Sequence, residues 1–183
     1  MIACIGWGSL IWDMRDLDVD GAWRADGPLL PVEFARQSSD ERITLVIVQG
    51  SALVPTLWSV FNTRDLVKAR ESLRQREHIP LSRARDLISH WRRGENPVSE
   101  PGATISDWGR RRDLDSAVWT SLKPKFAGVD GRVPTETEVI NELPALEGPA
   151  RAAAEEYVRR APRQIGTVYR RAIEGALGWI PVD

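Results

Sequence analysis

The chain has 183 residues, of which 42% are hydrophobic and 28% charged, as is usual for one folded globular domain. Its 25 basic and 26 acidic residues leave a formal net charge of -1, so the charge balance gives no reason to expect binding to nucleic acid or to an anionic membrane. A single cysteine, Cys4, excludes an intramolecular disulfide, and the short apolar N-terminus reaches Gly6 and Asp13 before a signal peptide or membrane span can form; we therefore expect a cytoplasmic protein.

Strands dominate the first third of the chain. The apolar run of residues 1–5 stops at a glycine and predicts a buried first strand, which a turn over residues 6–10 follows. Alternating or β-branched patterns predict three more strands, over residues 29–37, 43–48 and 56–61. The polar residues 38–41 join the first two of these three strands, which favours a hairpin.

Helices dominate the remainder. Asn62 or Thr63 is predicted to cap a helix that ends near Glu77, because Pro80 cannot continue it. Further helices are predicted over residues 82–92, 135–143, 148–160 and 163–176, with Gly178 after the last. Residues 95–109 and 124–133 are predicted loops, and residues 116–122 a strand. Without an internal repeat or a long linker, this order predicts one α+β domain over residues 1–183 rather than a doubly wound sheet.

The most compact motif is the turn Gly6-Trp7-Gly8-Ser9-Leu10, directly after the predicted first strand. Two glycines around one large residue open backbone conformations that other residues rarely adopt, and they clear side chains from the loop. Amide N–H groups can then approach a carboxylate or a developing oxyanion. No third glycine and no Gly-Lys-Ser/Thr follows, which disfavours nucleotide binding. The alternative is a tight structural turn packed under Trp7 and Trp12.

Glu77 continues the apolar face of the predicted helix. At about 100° per residue, Leu73 and Glu77 each fall about 20° from Leu66, on opposite sides. Partial burial and the negative end of the helix dipole both raise the pKa of a carboxyl group in such a place, toward the range useful for proton transfer at neutral pH. The alternative is that the helix frays and Glu77 turns to solvent or pairs with a nearby arginine.

Other reactive side chains carry weaker signals. Cys4 has no base nearby in the sequence and is expected to be a small buried hydrophobic residue. Ser9 does not lie in the G-x-S-x-G elbow of a serine hydrolase. The two histidines, His78 and His90, show no metal-ligand spacing with the cysteine, so we expect neither a metal site nor a cofactor.

Polar and aromatic residues elsewhere are candidates for substrate contact. Glu33 and Arg36 have opposite parity on a predicted strand, so they point to opposite faces, and either can anchor a charged group of an amino acid. Surface exposure or a cross-strand pair is the alternative for both. Three aromatic residues can line a pocket, with core packing as the alternative: Trp119, Tyr157 and Tyr169.

Two of these features together resemble the gamma-glutamylcyclotransferase-like superfamily. Gly6-Trp7-Gly8-Ser9-Leu10 stands where that family has a strand followed by Tyr-Gly-Ser. Leu73-Arg74-Gln75-Arg76-Glu77-His78-Ile79-Pro80 stands where it has roughly Leu-Asp-x-x-Glu-Gly-hydrophobic-Pro. The resemblance covers about residues 1–80, and residues 116–183 are recognised only loosely. Here Trp7 replaces the usual Tyr, His78 replaces Gly, and Arg76 adds a charge beside the glutamate.

The resemblance implies a small mixed β-barrel flanked by helices, and a metal-independent enzyme without a cofactor. In the family reaction the α-amine of a γ-glutamyl group attacks its own γ-carbonyl, which gives 5-oxoproline and a free amine or amino acid. Glu77 has the position of the family's catalytic glutamate, and Gly8, Ser9 and Leu10 help to hold the γ-glutamyl group. We add further candidate substrate contacts: Gly6, Trp7, Glu33, Arg36 and Trp119.

Two other functions stay open. The same fold can serve as a non-catalytic ligand-binding or interaction module, which an exposed or arginine-paired Glu77 without a pocket beside Gly8 would favour. Alternatively, the protein is another small-molecule enzyme, such as an amidohydrolase. A pocket lined by Trp7, Trp12 and Trp119 without a site for an α-carboxylate would favour that. The patterns specify neither the γ-glutamyl compound nor the oligomeric state.

Overall fold

The fold is α+β, as the order of the predicted elements implies. The computed structural model describes residues 1–97 and 100–182, with the backbone alone at Glu100. Within these ranges the strands are β1 (Ile2–Gly6), β2 (Leu29–Leu30), β3 (Val32–Gln37), β4 (Ile43–Ile47), β5 (Val54–Pro55), β6 (Leu57–Val60), β7 (Ile88–Arg92), β8 (Ser116–Thr120), β9 (Lys125–Phe126) and β10 (Val129–Asp130). The α-helices are α1 (Leu66–Arg76), α2 (Ala84–Leu87), α3 (Glu100–Arg111), α4 (Glu136–Ala145), α5 (Gly148–Arg160) and α6 (Val168–Leu177).

Contacts between Cα atoms divide the chain into two compact units that alternate along the sequence. The first unit consists of Met1–Gly6, Asp13–Leu30 and Pro55–Ser121. The second consists of Trp7–Trp12, Pro31–Val54 and residues 122–182. A four-stranded sheet lies in each unit, with α1 to α3 in the first and α4 to α6 in the second. The prediction that residues 1–183 form one domain stays a prediction.

The sheet of the first unit has the order β6-β1-β8-β7. β1 pairs antiparallel with β6 and parallel with β8, and β7 pairs antiparallel with β8. All five residues of β1 are buried, which explains why its sequence is apolar without alternation. The predicted first strand is therefore confirmed, and so is the burial of Cys4, whose side chain is fully enclosed.

Helix α1 begins after Asp65, whose carboxylate accepts hydrogen bonds from two backbone N–H groups of the first turn. The predicted cap at Asn62 or Thr63 is wrong because both side chains are engaged elsewhere. The Asn62 amide donates to the carboxylate of Asp18, and the Thr63 hydroxyl accepts from the N–H of Asp65. The predicted end of the helix is confirmed, since Glu77 is its C-cap residue.

The predicted helix over residues 82–92 is wrong in its second half. Leu81–Arg83 form one 3₁₀ turn that leads into α2, and the chain then extends as β7. Pairing of β7 with β8 buries Ile88 and Trp91, and this tertiary gain outweighs the local preference for helix.

The predicted loop over residues 95–109 is wrong where α3 forms, and residues 98 and 99 of it lie outside the described part of the chain. Pro101 suits the first turn of a helix, where its missing N–H has no partner to lose. Ile105 and Trp108, three residues apart, are both buried on one face of α3. Composition alone, rich in Pro, Gly and Ser, concealed that spacing.

The sheet of the second unit has the order β10-β9-β3-β4. The predicted hairpin is confirmed, because β3 and β4 pair antiparallel, with a register shift between Phe34 and Arg36. The predicted strand over residues 29–37 is interrupted at Pro31, which has no N–H for a ladder, so that β2 and β3 are separate. The predicted loop over residues 124–133 contains the two short strands β9 and β10.

The three helices of the second unit have clear signals at their ends. Thr135 and Glu138 form a capping box at the start of α4, and the predicted bounds of α5 are confirmed. Helix α6 begins at Val168, five residues later than predicted, because the Thr167 hydroxyl caps it. Gly178, with φ of 69°, ends it in the left-handed conformation that glycine favours.

None of the sheets is closed into a barrel within residues 1–97 and 100–182. A search of the same residues for helices that are long and apolar enough to cross a membrane finds none.

Asp20 fastens an irregular loop to β6 in the first unit, and this gives a prediction for low pH. Its carboxylate accepts hydrogen bonds from the Ser59 hydroxyl at 2.7 Å and from the Arg24 guanidinium at 2.9 Å. Partial burial opposes ionisation, but these hydrogen bonds outweigh it and lower the pKa of Asp20 to about 2. The ionised Asp20 therefore stabilises the fold above the ordinary carboxyl pKa, and this contribution is lost as the pH falls toward 2.

We expect Asp20→Asn to destabilise the protein at pH 6 and to match the wild type near pH 2. Urea unfolding at a series of pH values measures this convergence. Asp16→Asn, at an exposed position of the same loop, controls for the loss of one negative charge. If the free energies of unfolding of wild type and Asp20→Asn differ by the same amount from pH 6 to pH 2, ionisation of Asp20 is not the source of the pH-dependent stability.

Candidate functional site

The predicted glycine turn is present directly after β1. The N–H of Ile11 donates to the carbonyl oxygen of Gly8 at 3.0 Å, which closes a four-residue turn. Within the turn Ser9 is half-buried and Leu10 is buried. Trp7, which precedes the turn, is buried, and its indole Nε1 donates to the carbonyl oxygen of Leu45 at 3.1 Å.

Tyr157 from α5 is the second side chain that reaches Leu45. The N–H of Leu45 donates to the Tyr157 hydroxyl at 3.2 Å. Among the described residues Leu45 lies on β4, the last strand of its sheet, so its outward N–H and C=O face no neighbouring strand there. Tyr157 and Trp7 supply these two hydrogen bonds, and the turn is thereby held against the edge of β4.

Gly8 is required by the space that Tyr157 occupies rather than by its own backbone conformation. A Cβ atom on Gly8 would lie 2.5 Å from the Tyr157 hydroxyl oxygen, closer than atoms can approach without a shift. Gly8 does not have a positive φ. The expectation that glycine is needed here for a backbone conformation closed to other residues is therefore wrong for the φ of Gly8. Glycine is needed instead because Tyr157 leaves no room for a side chain.

Substitution of Gly8 by alanine is expected to destabilise the protein by about 1–3 kcal/mol, the usual cost of overpacking. The Tyr157→Phe background removes the clashing oxygen and leaves the ring carbon at 3.5 Å, an ordinary contact. We therefore expect Gly8→Ala to cost less in that background, which a double-mutant cycle of urea unfolding measures. Equal costs in the two backgrounds would exclude the hydroxyl as the cause.

Glu77 lies in the first unit, at the end of α1. Its side chain is 17% exposed, in agreement with its predicted place beside Leu73 on the buried face. The helix stops here because the next residue, His78, has φ of 52°. The alternative of a frayed helix end does not occur, since the Glu77 N–H still donates to the Leu73 carbonyl at 3.0 Å.

A buried arginine holds the Glu77 carboxylate. Arg76 Nη1 donates to Glu77 Oε1 at 2.6 Å, and the Arg76 side chain is only 4% exposed. The same guanidinium donates to the backbone oxygen of Asp13. The structure therefore contains the alternative in which Glu77 is paired with an arginine. Arg76 is an additional functional candidate, which from the sequence was noted only as a charge that the family pattern lacks.

The Cys4 thiol on β1 is affected by the charges of Glu77 and Arg76. Burial raises the pKa of the Cys4 thiol far above its usual range, and the negative charge of Glu77 raises it further, while Arg76 acts in the opposite direction. The thiol is consequently held protonated, which agrees with a packing role rather than a nucleophilic one. Cys4 stands two residues before Gly6, the end of the strand that leads into the glycine turn.

Glu33 has a structural role at the start of α6 in the second unit. Its carboxylate accepts hydrogen bonds from the Thr167 hydroxyl and from the N–H groups of Phe34 and Tyr169. Burial raises the pKa of Glu33, and these hydrogen bonds partly offset the rise. Because these donors engage both oxygens of the carboxylate, Glu33 has little capacity left to anchor a substrate.

Arg36 donates a hydrogen bond elsewhere, and Trp119 is buried in the wall of a cavity. Arg36 Nη1 donates to the backbone oxygen of Lys123 at 2.7 Å, in the second unit. Trp119 belongs to β8 in the first unit, is 2% exposed and borders a cavity of about 170 Å³ beside Trp91 and His90. Burial lowers the pKa of His90 in that wall.

The structure thus places the predicted residues in two groups. Gly6, Glu77 and Trp119 belong to the first unit, where the charge of Glu77 acts on Cys4 of the strand that Gly6 ends. The second unit holds the turn residues and the two charged candidates: Trp7, Gly8, Ser9, Leu10, Glu33 and Arg36. Comparison with protein-family models, with curated proteins and with solved structures finds no match for this chain.

Proposed function

We propose that this protein is a gamma-glutamylcyclotransferase-like enzyme that converts a γ-glutamyl compound to 5-oxoproline and a free amine or amino acid. The observation that carries the proposal is the half-buried Glu77 at the end of α1. It is held by a buried arginine and lies within electrostatic range of the strand that runs into the glycine turn. The single cysteine supports a cytoplasmic location.

A second observation supports the resemblance in physical terms. The family has glycine directly after its glutamate, and here His78 has φ of 52°, the left-handed conformation for which glycine is suited. The backbone of this chain therefore makes the turn that the family's glycine would allow. The same resemblance carries the proposal of a small mixed β-barrel flanked by helices.

The proposed chemistry needs few groups. The attacking amine is tethered to its own carbonyl, so the protein has mainly to fix one conformer. Glu77 accepts the proton of the attacking α-amine and returns a proton to the leaving amine. The tetrahedral oxygen that forms between these steps requires hydrogen-bond donors. The C–N bond to the leaving amine then breaks, and no metal or cofactor takes part in any step.

Release of 5-oxoproline tests this proposal. A panel of glutathione, γ-glutamyl amino acids and γ-glutamyl amines is incubated with the protein, and 5-oxoproline is quantified by mass spectrometry. We expect release from at least one class, and the class identifies the leaving group that the site accepts. A panel without any release would contradict the proposed function.

One observation favours a second candidate, a non-catalytic module that binds the same kind of ligand. Glu77 is paired with Arg76, and this pairing is also what a purely structural carboxylate would show. The two functions differ in turnover. Calorimetric binding of a γ-glutamyl compound that is recovered intact supports the module, whereas conversion to 5-oxoproline supports the enzyme.

A further inference from the structure

We infer that Arg76 is a positioning residue, which fixes the Glu77 carboxylate for proton transfer; this inference rests on the proposed function. Arginine side chains are almost never buried without partners, and Arg76 is only 4% exposed. One side of its guanidinium holds the backbone oxygen of Asp13, from Nε at 3.1 Å and from Nη2 at 2.6 Å. Nη1 holds Glu77 Oε1 at 2.6 Å.

The hydrogen bonds to Asp13 fix the orientation of Arg76, and we call the contact of this fixed guanidinium with the Glu77 carboxylate the clamp. A guanidinium is a rigid planar fork, so hydrogen bonds along one edge fix the direction of the remaining N–H groups. Arg76 therefore cannot follow Glu77 if the carboxylate rotates, and rotation would break a short charge-assisted hydrogen bond. Because Arg76 occupies Oε1, proton transfer is assigned to Oε2.

The segment that carries Asp13 is itself tied to the end of α1. Arg15 donates to the Asp13 carboxylate at 3.1 Å and contacts His78 Nε2 at 2.8 Å. Residues 13–15 and 76–78 are consequently joined by contacts on both sides of Glu77. A small displacement of a catalytic group costs as much as ~10²-fold in rate. Contacts that prevent rotation of the Glu77 carboxylate therefore raise the rate of proton transfer.

Arg74 offers a matched control two residues earlier in the same helix. It also donates to a backbone carbonyl, that of Ile79, and to a carboxylate, that of Glu71, but it has no hydrogen bond to Glu77. We expect Arg76→Ala to lower kcat at least ~10-fold with KM within about twofold, and Arg74→Ala to keep the wild-type kcat at a comparable loss of Tm. Arg76→Lys keeps the charge without the fork and is expected to restore little activity.

Chemical rescue separates positioning from a general structural role. We expect about 10–50 mM guanidinium chloride to raise kcat of Arg76→Ala several-fold, because the free cation can occupy the vacated site next to Glu77, and to leave Arg74→Ala unchanged. Wild-type kcat in Arg76→Ala, or an equal kcat loss in Arg74→Ala, would overturn the inference.

A measurement without substrate distinguishes failure of this inference from failure of the proposed function. The Tm losses of Arg76→Ala, of Glu77→Gln and of the double variant form a cycle. If the Tm loss of the double variant differs from the sum of the two single losses, the clamp is supported. This holds even if no 5-oxoproline is released, because absence of release contradicts only the proposed reaction. Losses that add would overturn the clamp, whatever the activity of the wild type.

Discussion

Replacement of Glu77 by glutamine is expected to lower 5-oxoproline release by at least ~10²-fold, the usual contribution of a general acid–base group. Glutamine keeps the size of the side chain and an oxygen that accepts from Arg76, so the fold is expected to stay intact. It cannot, however, take a proton from the attacking amine. Initial rates on the substrate identified from the panel, with Tm and circular dichroism in parallel, measure the effect.

Glu71→Gln is the control for this substitution. Glu71 lies on the same helix and is also paired with an arginine, Arg74, but its side chain is 40% exposed and points away from the buried face. We expect its rate to stay within about twofold of the wild type. A Glu77→Gln protein that retains the wild-type rate would remove Glu77 from the mechanism.

Replacement of Arg170 by methionine is expected to destabilise the protein by about 3–5 kcal/mol, the cost of removing one partner from a buried charged network. Arg170 is 1% exposed, and its guanidinium donates to Glu174 and to several backbone carbonyls between the end of α5 and the start of α6. The two shortest of these bonds, each 2.7 Å, go to Pro162 and Ala161. Without the guanidinium the buried Ala161 carbonyl loses this hydrogen bond and Glu174 loses its charged partner, whereas the Pro162 carbonyl still accepts from the N–H of Ile165.

Urea unfolding measures this loss, and a Tm lower by about 10 °C is expected for a chain of this size. Arg171→Met is the matched control, since Arg171 is the next residue, is exposed, and donates to the Gly166 carbonyl at the surface. We expect the control to change stability by less than about 0.5 kcal/mol. Similar losses in the two variants would show that burial of Arg170 is not the cause.

Elements with a strong local signal were predictable from the sequence. β1 is a short apolar run that stops at glycine, α5 has proline in its first turn, and α6 ends at Gly178. β7 and α3 were not predictable by the same means. The first depends on pairing with a strand more than twenty residues later, and the second is concealed by a composition typical of loops.

The candidate site divides in the same way. The place of Glu77 on the buried face follows from helical periodicity, and the turn after β1 follows from its two glycines. The contacts that give these residues their setting are non-local. Arg76 finds its anchor at Asp13, and Tyr157 reaches Leu45 across more than one hundred residues, so neither role has a signature in the neighbouring sequence.

The parallel pairing of β1 with β8 has a consequence for synthesis on the ribosome. β1 ends at Gly6, but its parallel neighbour, β8, begins only at Ser116, more than one hundred residues later. At about 5–20 residues per second, the ribosome needs roughly 5–20 s to supply that partner. During this interval an entirely apolar strand has an open hydrogen-bonding edge, which makes the nascent chain a natural client of cellular chaperones.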